Sequence, residues 1–478
     1  MSNVADRRAA ALAHARSRLD HTLEELKTLA RIPGVSADPP PNAELEKSAT
    51  AVAAWMKRIG LDGVEVVTLP GVHPYIYGEW LGAPGAPTAI IYAHHDVQPP
   101  GRPAHWKSPA FEPTVRDGRM YGRGVVDDKA GAAIQFAAIE AYLENGGLPI
   151  NVKVVIDGEE EIGSEHLGDF LAKFKERLAA DVIVLTDTAN LATGVPSVTY
   201  ALRGIVIVDV EVAALDPPLH SGMWGGPVPD APMAMCKILG RLVDDQGRIA
   251  NDGIYDDVRP MTEAERGRLQ ALPFDAGEFR SDAGMLEGVG WAGEKNHGHY
   301  ELMWRRPSIA ITAMEASPLA GASNQIIASA RARVGIRTVP DMDGKKVAAA
   351  LAAALEKDPP WGVKVTTRTH AVGGWWLTNP EGPAFEAASK ALTAGYGVAS
   401  TFIGCGGSIP FVEPFSTVLG GIPALLLGLE DPVCNAHSEN ESLHLGDFEK
   451  AVAATVHLYA ELAAAGPAAL RGTVRKPA

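Results

Sequence analysis

Residues 90–98, Ile-Ile-Tyr-Ala-His-His-Asp-Val-Gln, constrain this chain more than any other stretch. An apolar, β-branched run leads straight into His94, His95 and Asp96. Such a run reads as a buried strand delivering polar groups at its C-terminal end, where open α/β sheets bind ligands. His94 and Asp96 are two residues apart, so on a strand they share one face. A histidine backed by a carboxylate suits a metal ligand whose ring is held in one orientation.

The same pattern returns. An apolar run ends in Asp127 and Asp128, a second in Glu159, Glu160 and Glu161, a third in Asp187, and His437 follows far downstream. Carboxylates after buried strands are costly unless they are paired or bound to metal. Two histidines with several carboxylates suit a hard or borderline cation, and zinc takes nitrogen and oxygen ligands readily.

The motifs are His94-x-Asp96 followed by Val-Gln-Pro, Gly122-Arg-Gly-x-x-Asp127-Asp128-Lys129, Gly158-x-Glu160-Glu161-x-Gly163-Ser164, and Ala436-His437-Ser438-x-Asn440-Glu441. With Asp187 they make five matches in one order. In this the chain resembles the M20 family of dinuclear zinc peptidases, and within it the carnosinase-like cytosolic dipeptidases. The resemblance implies two divalent metal ions, zinc first, with manganese or cobalt also compatible. It implies that Asp127 bridges them, that His94 and Asp187 complete one site, and that Glu161 and His437 complete the other. Glu160 resembles the family's general base, and Asp96 the carboxylate that holds His94. A cis peptide after Asp127 is a frequent family feature.

The same resemblance implies substrate roles. Arg337 resembles the arginine that grips the substrate carboxylate. His220 resembles the histidine that reaches across a dimer and polarises the scissile carbonyl. Asn324 matches the position in the strand before Arg337, and Gly406, Gly407 and Ser408 resemble the loop whose backbone touches substrate. Three departures stand out. Cys405 occupies the position usually held by Glu, Ile-Ile-Ala-Ser replaces the usual Ile-Pro after Asn324, and Asp157 replaces a Glu. Cys405 reads as a small packing residue.

The order of elements gives the fold class. After helices at 4–30 and 43–59, strands alternate with helices up to about residue 186, which argues an α/β domain with a mostly parallel sheet and helices on both faces. From 198 the pattern changes to a small α+β unit, expected to be an inserted lid and dimerisation domain. The expected division is 1–197 catalytic, 198–375 inserted, and 376–478 catalytic again. Residues 244–299 are polar, Gly-rich and acidic, with no clear period.

Composition excludes other classes. A net charge of −15 over 478 residues disfavours nucleic acid and anionic membranes. Three cysteines without Cys-x-x-Cys spacing offer neither a disulfide framework nor a thiolate zinc module. No run is long enough to span a membrane, and the charged N-terminus lacks a signal-peptide core, so the expected location is cytoplasmic. No Gly-x-Ser-x-Gly elbow supports a serine hydrolase. The expected activity is metal-dependent amide hydrolysis of dipeptides or short peptides, as a dipeptidase or a carboxypeptidase, by a homodimer. The alternatives are an N-acyl-amino-acid deacylase of the same fold and a peptide-binding protein without turnover.

Overall fold

The apolar runs form the centre of a nine-stranded mixed sheet. The computed structural model describes residues 4–407 and 412–471. Its strand order is Asp62–Val67, Tyr75–Trp80, Asn151–Asp157, Thr88–His94, Val182–Ala189, Ala424–Glu430, Ser197–Leu202 and Trp376–Leu377, with Thr401–Cys405 also paired to Ser197–Leu202. The strands from Asn151–Asp157 to Ala424–Glu430 run parallel. The flanks are antiparallel, except that Thr401–Cys405 pairs parallel with Ser197–Leu202. The parallel centre is the part that the strand–helix alternation encodes.

Alternation within each strand divides the core in two. Ile91, Val154 and Val184 face one layer, and Ile90, Tyr92, Leu185 and Leu426 face the other. The first layer is covered by Lys129–Leu143, Pro383–Tyr396 and Leu445–Ala465. Nearly every residue of Lys129–Leu143 is buried, as expected of a helix that is apolar all round. The second layer is covered by Leu167–Phe174 and Val412–Val418. The N-terminal helical stretch is two helices, Val4–Ser17 and Leu19–Ala30, interrupted at Arg18.

The inserted domain is a four-stranded antiparallel sheet, Ser308–Glu315, Ser329–Thr338, Gly204–Ala213 and Lys364–Gly373. Ala231–Gly240 and Gly344–Glu356 cover one face over a core that includes Val208, Val334, Ile238 and Leu351. The first crossing differs from the 197/198 expectation. Ser197–Leu202 still belongs to the large sheet, and the chain leaves it at Arg203. One residue separates two β-branched strands there, so the sequence reads as a single run. The return falls at Trp376–Leu377, paired with Leu202 and Ala201.

The stretch without a clear period contains the short helices Glu263–Ala271, Ala276–Asp282 and His299–Trp304. Among the described residues no helix is long and apolar enough to cross a membrane.

Candidate active site

The ends of the parallel strands bring the expected ligands together. His94 ends its strand, fully buried. Its Nε2 lies 3.0 Å from Asp127 Oδ1 and 3.7 Å from Asp187 Oδ1. On the other side, His437 Nε2 lies 2.9 Å from Asp127 Oδ2 and 3.0 Å from Glu161 Oε2. The two oxygens of Asp127 are thus divided between two donor groups, His94–Asp127–Asp187 and Asp127–Glu161–His437. In each, the ligand atoms lie within 4.8 Å of one another. The donors are imidazole nitrogens and carboxylate oxygens, a set that fits borderline divalent cations. The Asp127–Asp128 peptide is cis.

Charges respond to this crowding. Burial alone would lower the His94 imidazole, but Asp187 and Asp127 raise it well above its ordinary value. Hydrogen bonds to Asp127 and Glu161 push His437 up to about 11. Burial, with Asp127 beside it, pushes Glu161 up to about 7.

Asp96 joins the two halves of the cluster. Its Oδ1 lies 3.3 Å from His94 Nδ1. The same carboxylate accepts the backbone N–H of Glu160 at 3.3 Å and of Glu161 at 3.0 Å. One side chain therefore orients a ligand and fixes the turn that carries a second ligand and the expected base. That turn also needs Gly158, where a Cβ would meet the Pro74 carbonyl oxygen at 2.4 Å.

The three adjacent glutamates diverge. Glu159 points backward and is buried, accepting from the His73 N–H and the Tyr75 hydroxyl, with His166 Nδ1 3.1 Å away. Glu161 enters the cluster. Glu160 is half-buried. Burial and the charges of Asp187, Glu161 and Asp127 raise its carboxyl well above the usual range, against the opposing pull of His94.

Several residues act behind these ligands, and sequence reasoning gave them no role. Gln98 donates its backbone N–H and its Nε2 to the Glu161 carboxylate, at 3.1 and 2.8 Å. Asp128 accepts the His94 N–H at 3.2 Å. Glu441 is buried and accepts from the N–H groups of Gly124, Val126 and Asp127. Gln98, Asp128 and Glu441 all belong to the quoted motifs or adjoin them, which was the available signal. Glu430 lies outside every motif. Its carboxyl is raised well above its ordinary value by burial and by Asp127 and Asp187.

The substrate residues are placed differently. Arg337 lies in Ser329–Thr338; its charge is felt at Arg203, and it in turn feels Cys405. Burial lowers the Arg337 guanidinium. His220 is exposed and pairs with Gln325, while the Asn324 carbonyl accepts the Ser221 N–H. Among the described residues neither His220 nor Asn324 bonds to the metal-ligand cluster. Gly407 donates its N–H to Cys405 Sγ at 3.3 Å. Ser408 lies outside the described residues. Cys405 packs against the apolar layer of Tyr92 and Leu426 and joins neither donor group.

Fold and donor geometry together define an α/β metallohydrolase carrying an inserted second domain. Residues 90–461 match the peptidase family M20/M25/M40, and the chain belongs to that family as one of its metallopeptidases. The cysteinylglycine-S-conjugate dipeptidase of Corynebacterium striatum is 33% identical over 406 residues, 84% of this chain and 87% of that protein. The Beta-Ala-His dipeptidase of Homo sapiens is 30% identical over 454 residues, 90% and 87% of the two chains. The solved structure of the dipeptidase Dug1p from Saccharomyces cerevisiae has a TM-score of 0.84 at 27% identity, over 96% of this chain and 98% of that one.

Proposed function

We propose that this protein hydrolyses the peptide bond of dipeptides with two divalent cations and Glu160 as general base. The observation that carries the reading is the division of Asp127, one oxygen toward His94 and the other toward His437. Zinc is the favoured metal for this nitrogen and oxygen set, with manganese and cobalt compatible. When bound, such a pair supplies Lewis acidity, making water nucleophilic at neutral pH and polarising the carbonyl.

The chain's own residues supply the rest. Glu160 takes a proton from the attacking water and delivers it to the amine nitrogen as the C–N bond breaks. Asp96 holds Glu160 and His94 in register through the bonds described above. Arg337 receives the substrate carboxylate with its planar fork. The partner subunit's His220 steadies the developing oxyanion. Dimerisation through the inserted domain is supported by Met223 and Trp224, exposed directly after His220, and by Ile311 and Met314, exposed on the edge strand Ser308–Glu315. Relatives named as dipeptidases over most of the chain support the substrate class.

The test is hydrolysis of free dipeptides, N-acetyl amino acids and N-blocked dipeptides by chelator-stripped protein reloaded with Zn²⁺ or Mn²⁺. Metal-dependent cleavage of free dipeptides supports the proposal. Cleavage of acylated substrates alone would establish a deacylase instead. Two bound metals without turnover would establish a binding protein.

A further inference from the structure

Beside the metal-ligand cluster, on the Cys405 side, lies a cavity of about 570 Å³. It starts close to the reacting centre. In Val182–Ala189, the ligand Asp187 and the cavity residue Ala189 are both half-open, while Thr186 and Thr188 are buried. Residues two apart share a face, so the cavity wall begins ~7 Å along the strand from the ligand. The opposite wall is Ile403 to Gly406. The third side comes from the inserted domain, through Phe274, Phe279, Met303 and Trp304.

This wall is built in. Trp304 is buried, and Tyr300 stacks on it at 4.7 Å. A Cβ at Gly404 would lie 2.6 Å from the Trp304 ring, so glycine there admits the indole onto the strand Thr401–Cys405. The cavity interior is apolar, with acidic groups such as Asp275, Glu278 and Asp282 also on its lining. Burial pushes the Cys405 thiol up to about 11, so that wall is neutral at physiological pH.

Glu430 adjoins the cavity without lying on its lining: its ladder partner Ala189 is on the wall. It ends the strand Ala424–Glu430, between the Asp187 strand and the strand that pairs with Cys405. Its neighbour Asp431 lines the cavity. Its charge is felt at Cys405, and it feels Asp127 and Asp187. Among the described residues no hydrogen bond or ion pair engages its side-chain oxygens, while its backbone carbonyl accepts the Asn190 N–H. A half-buried carboxyl in this position gains from an arriving cation.

We propose that Glu430 and this cavity form the amine-side subsite, Glu430 taking the free α-ammonium and the cavity taking a long, uncharged side chain. The inference rests on the dipeptidase reading above. The α-carbon of a first residue carries both groups, so an ammonium at Glu430 directs the side chain into the adjoining space. Alkyl, thioether and aromatic side chains fit its apolar lining.

The experiment compares kcat/KM of the metal-loaded protein for dipeptides X-Gly, with X alanine, norvaline, norleucine or lysine, each free and N-acetylated. The free series should rise roughly fourfold per added methylene from alanine to norleucine. Lysine should fall at least ~10-fold below norleucine, because its charged end would lose hydration in the cavity. Ala192→Trp, on the cavity lining, should flatten the series from alanine to norleucine. Glu430→Gln should raise KM for free dipeptides at least ~10-fold with little change in kcat, and narrow their lead over acetylated forms. A flat wild-type series, or lysine above norleucine, overturns the cavity assignment without any variant. An unchanged KM in Glu430→Gln overturns the ammonium assignment. If only acetylated substrates are cleaved, the dipeptidase reading itself falls.

Discussion

Arg123 and Glu441 form a buried ion pair, Nη1 to Oε2 at 2.7 Å, and its carboxylate also grips the backbone N–H groups leading into Asp127. The pair ties the segment carrying His437 to the turn carrying the shared aspartate. Removing one partner of a buried pair leaves an uncompensated charge, at a cost of about 3–5 kcal/mol. Glu441→Gln should therefore lower the denaturant midpoint of unfolding and speed metal loss to a chelator. Loss of stability with unchanged metal retention would show that the clamp supports the fold alone.

Asp127 serves both donor groups, whereas Asp187 and His437 each serve one. Asp187→Ala and His437→Ala should each retain about one metal per chain, and Asp127→Ala should retain markedly less than either. Metal analysis after gel filtration reads the difference. Equal stoichiometry in all three variants would contradict a shared ligand.

Glu160 adjoins the cluster without belonging to either donor group. Glu160→Gln keeps its shape and removes its basicity. It should bind both metals and lose about 10²–10⁴-fold in kcat, the usual worth of a positioned general base. Wild-type turnover by the variant would assign the proton transfer elsewhere.

The parts legible in the sequence were those set by local pattern. The strands carrying His94, Glu161 and Asp187 show as apolar runs, and these candidate ligands sit at or near where the runs stop, because burial and strand-end chemistry are both written in consecutive residues, whereas Asp127 lies on a turn before Lys129–Leu143 and His437 in a loop after Ala424–Glu430. Two things were not legible. The crossing at Arg203 is hidden because two strands of similar composition meet there with no turn signal. The three helices within 263–304 are short and polar, and Trp304 and Tyr300 gain their place only by packing on the strand of Gly404, about a hundred residues away. Glu430 was missed for the same reason. It sits at the end of an ordinary buried strand, and only the sheet order brings it beside Asp187.

Metal loading should displace protons. Asp127 and Glu161 hold the His437 imidazole up to about 11, and Asp187 and Asp127 hold His94 well above its ordinary value despite its burial. On chelator-stripped protein both rings carry a proton at neutral pH, yet both must be neutral to ligate. Both raised groups hold their protons through the neutral range, so metal must displace them against the free proton concentration, and apparent affinity climbs with pH there. Calorimetry in buffers of different ionisation enthalpy should show release of about two to three protons per fully loaded chain, the two from the imidazoles joined by part of one from Glu161, held up to about 7. A heat independent of the buffer would mean that the imidazoles were neutral beforehand.

The dimer reading makes a sharper demand. His220 is exposed in the inserted domain and touches no ligand of its own chain among the described residues. If it acts across a dimer, a chain carrying His220→Ala still owns an intact metal centre, and a chain carrying Glu160→Gln still owns an intact His220. Either variant alone should be nearly inactive. Co-expressed with different tags and purified through both, the mixed dimer holds one complete site, with the centre from the first chain and the histidine from the second. The doubly purified mixed dimer should therefore show about half of wild-type activity per chain, one working site of two. If His220 serves its own chain, every site in the mixture lacks one of the two residues. Activity then stays at the level of the single variants, and the inserted domain acts without crossing the interface.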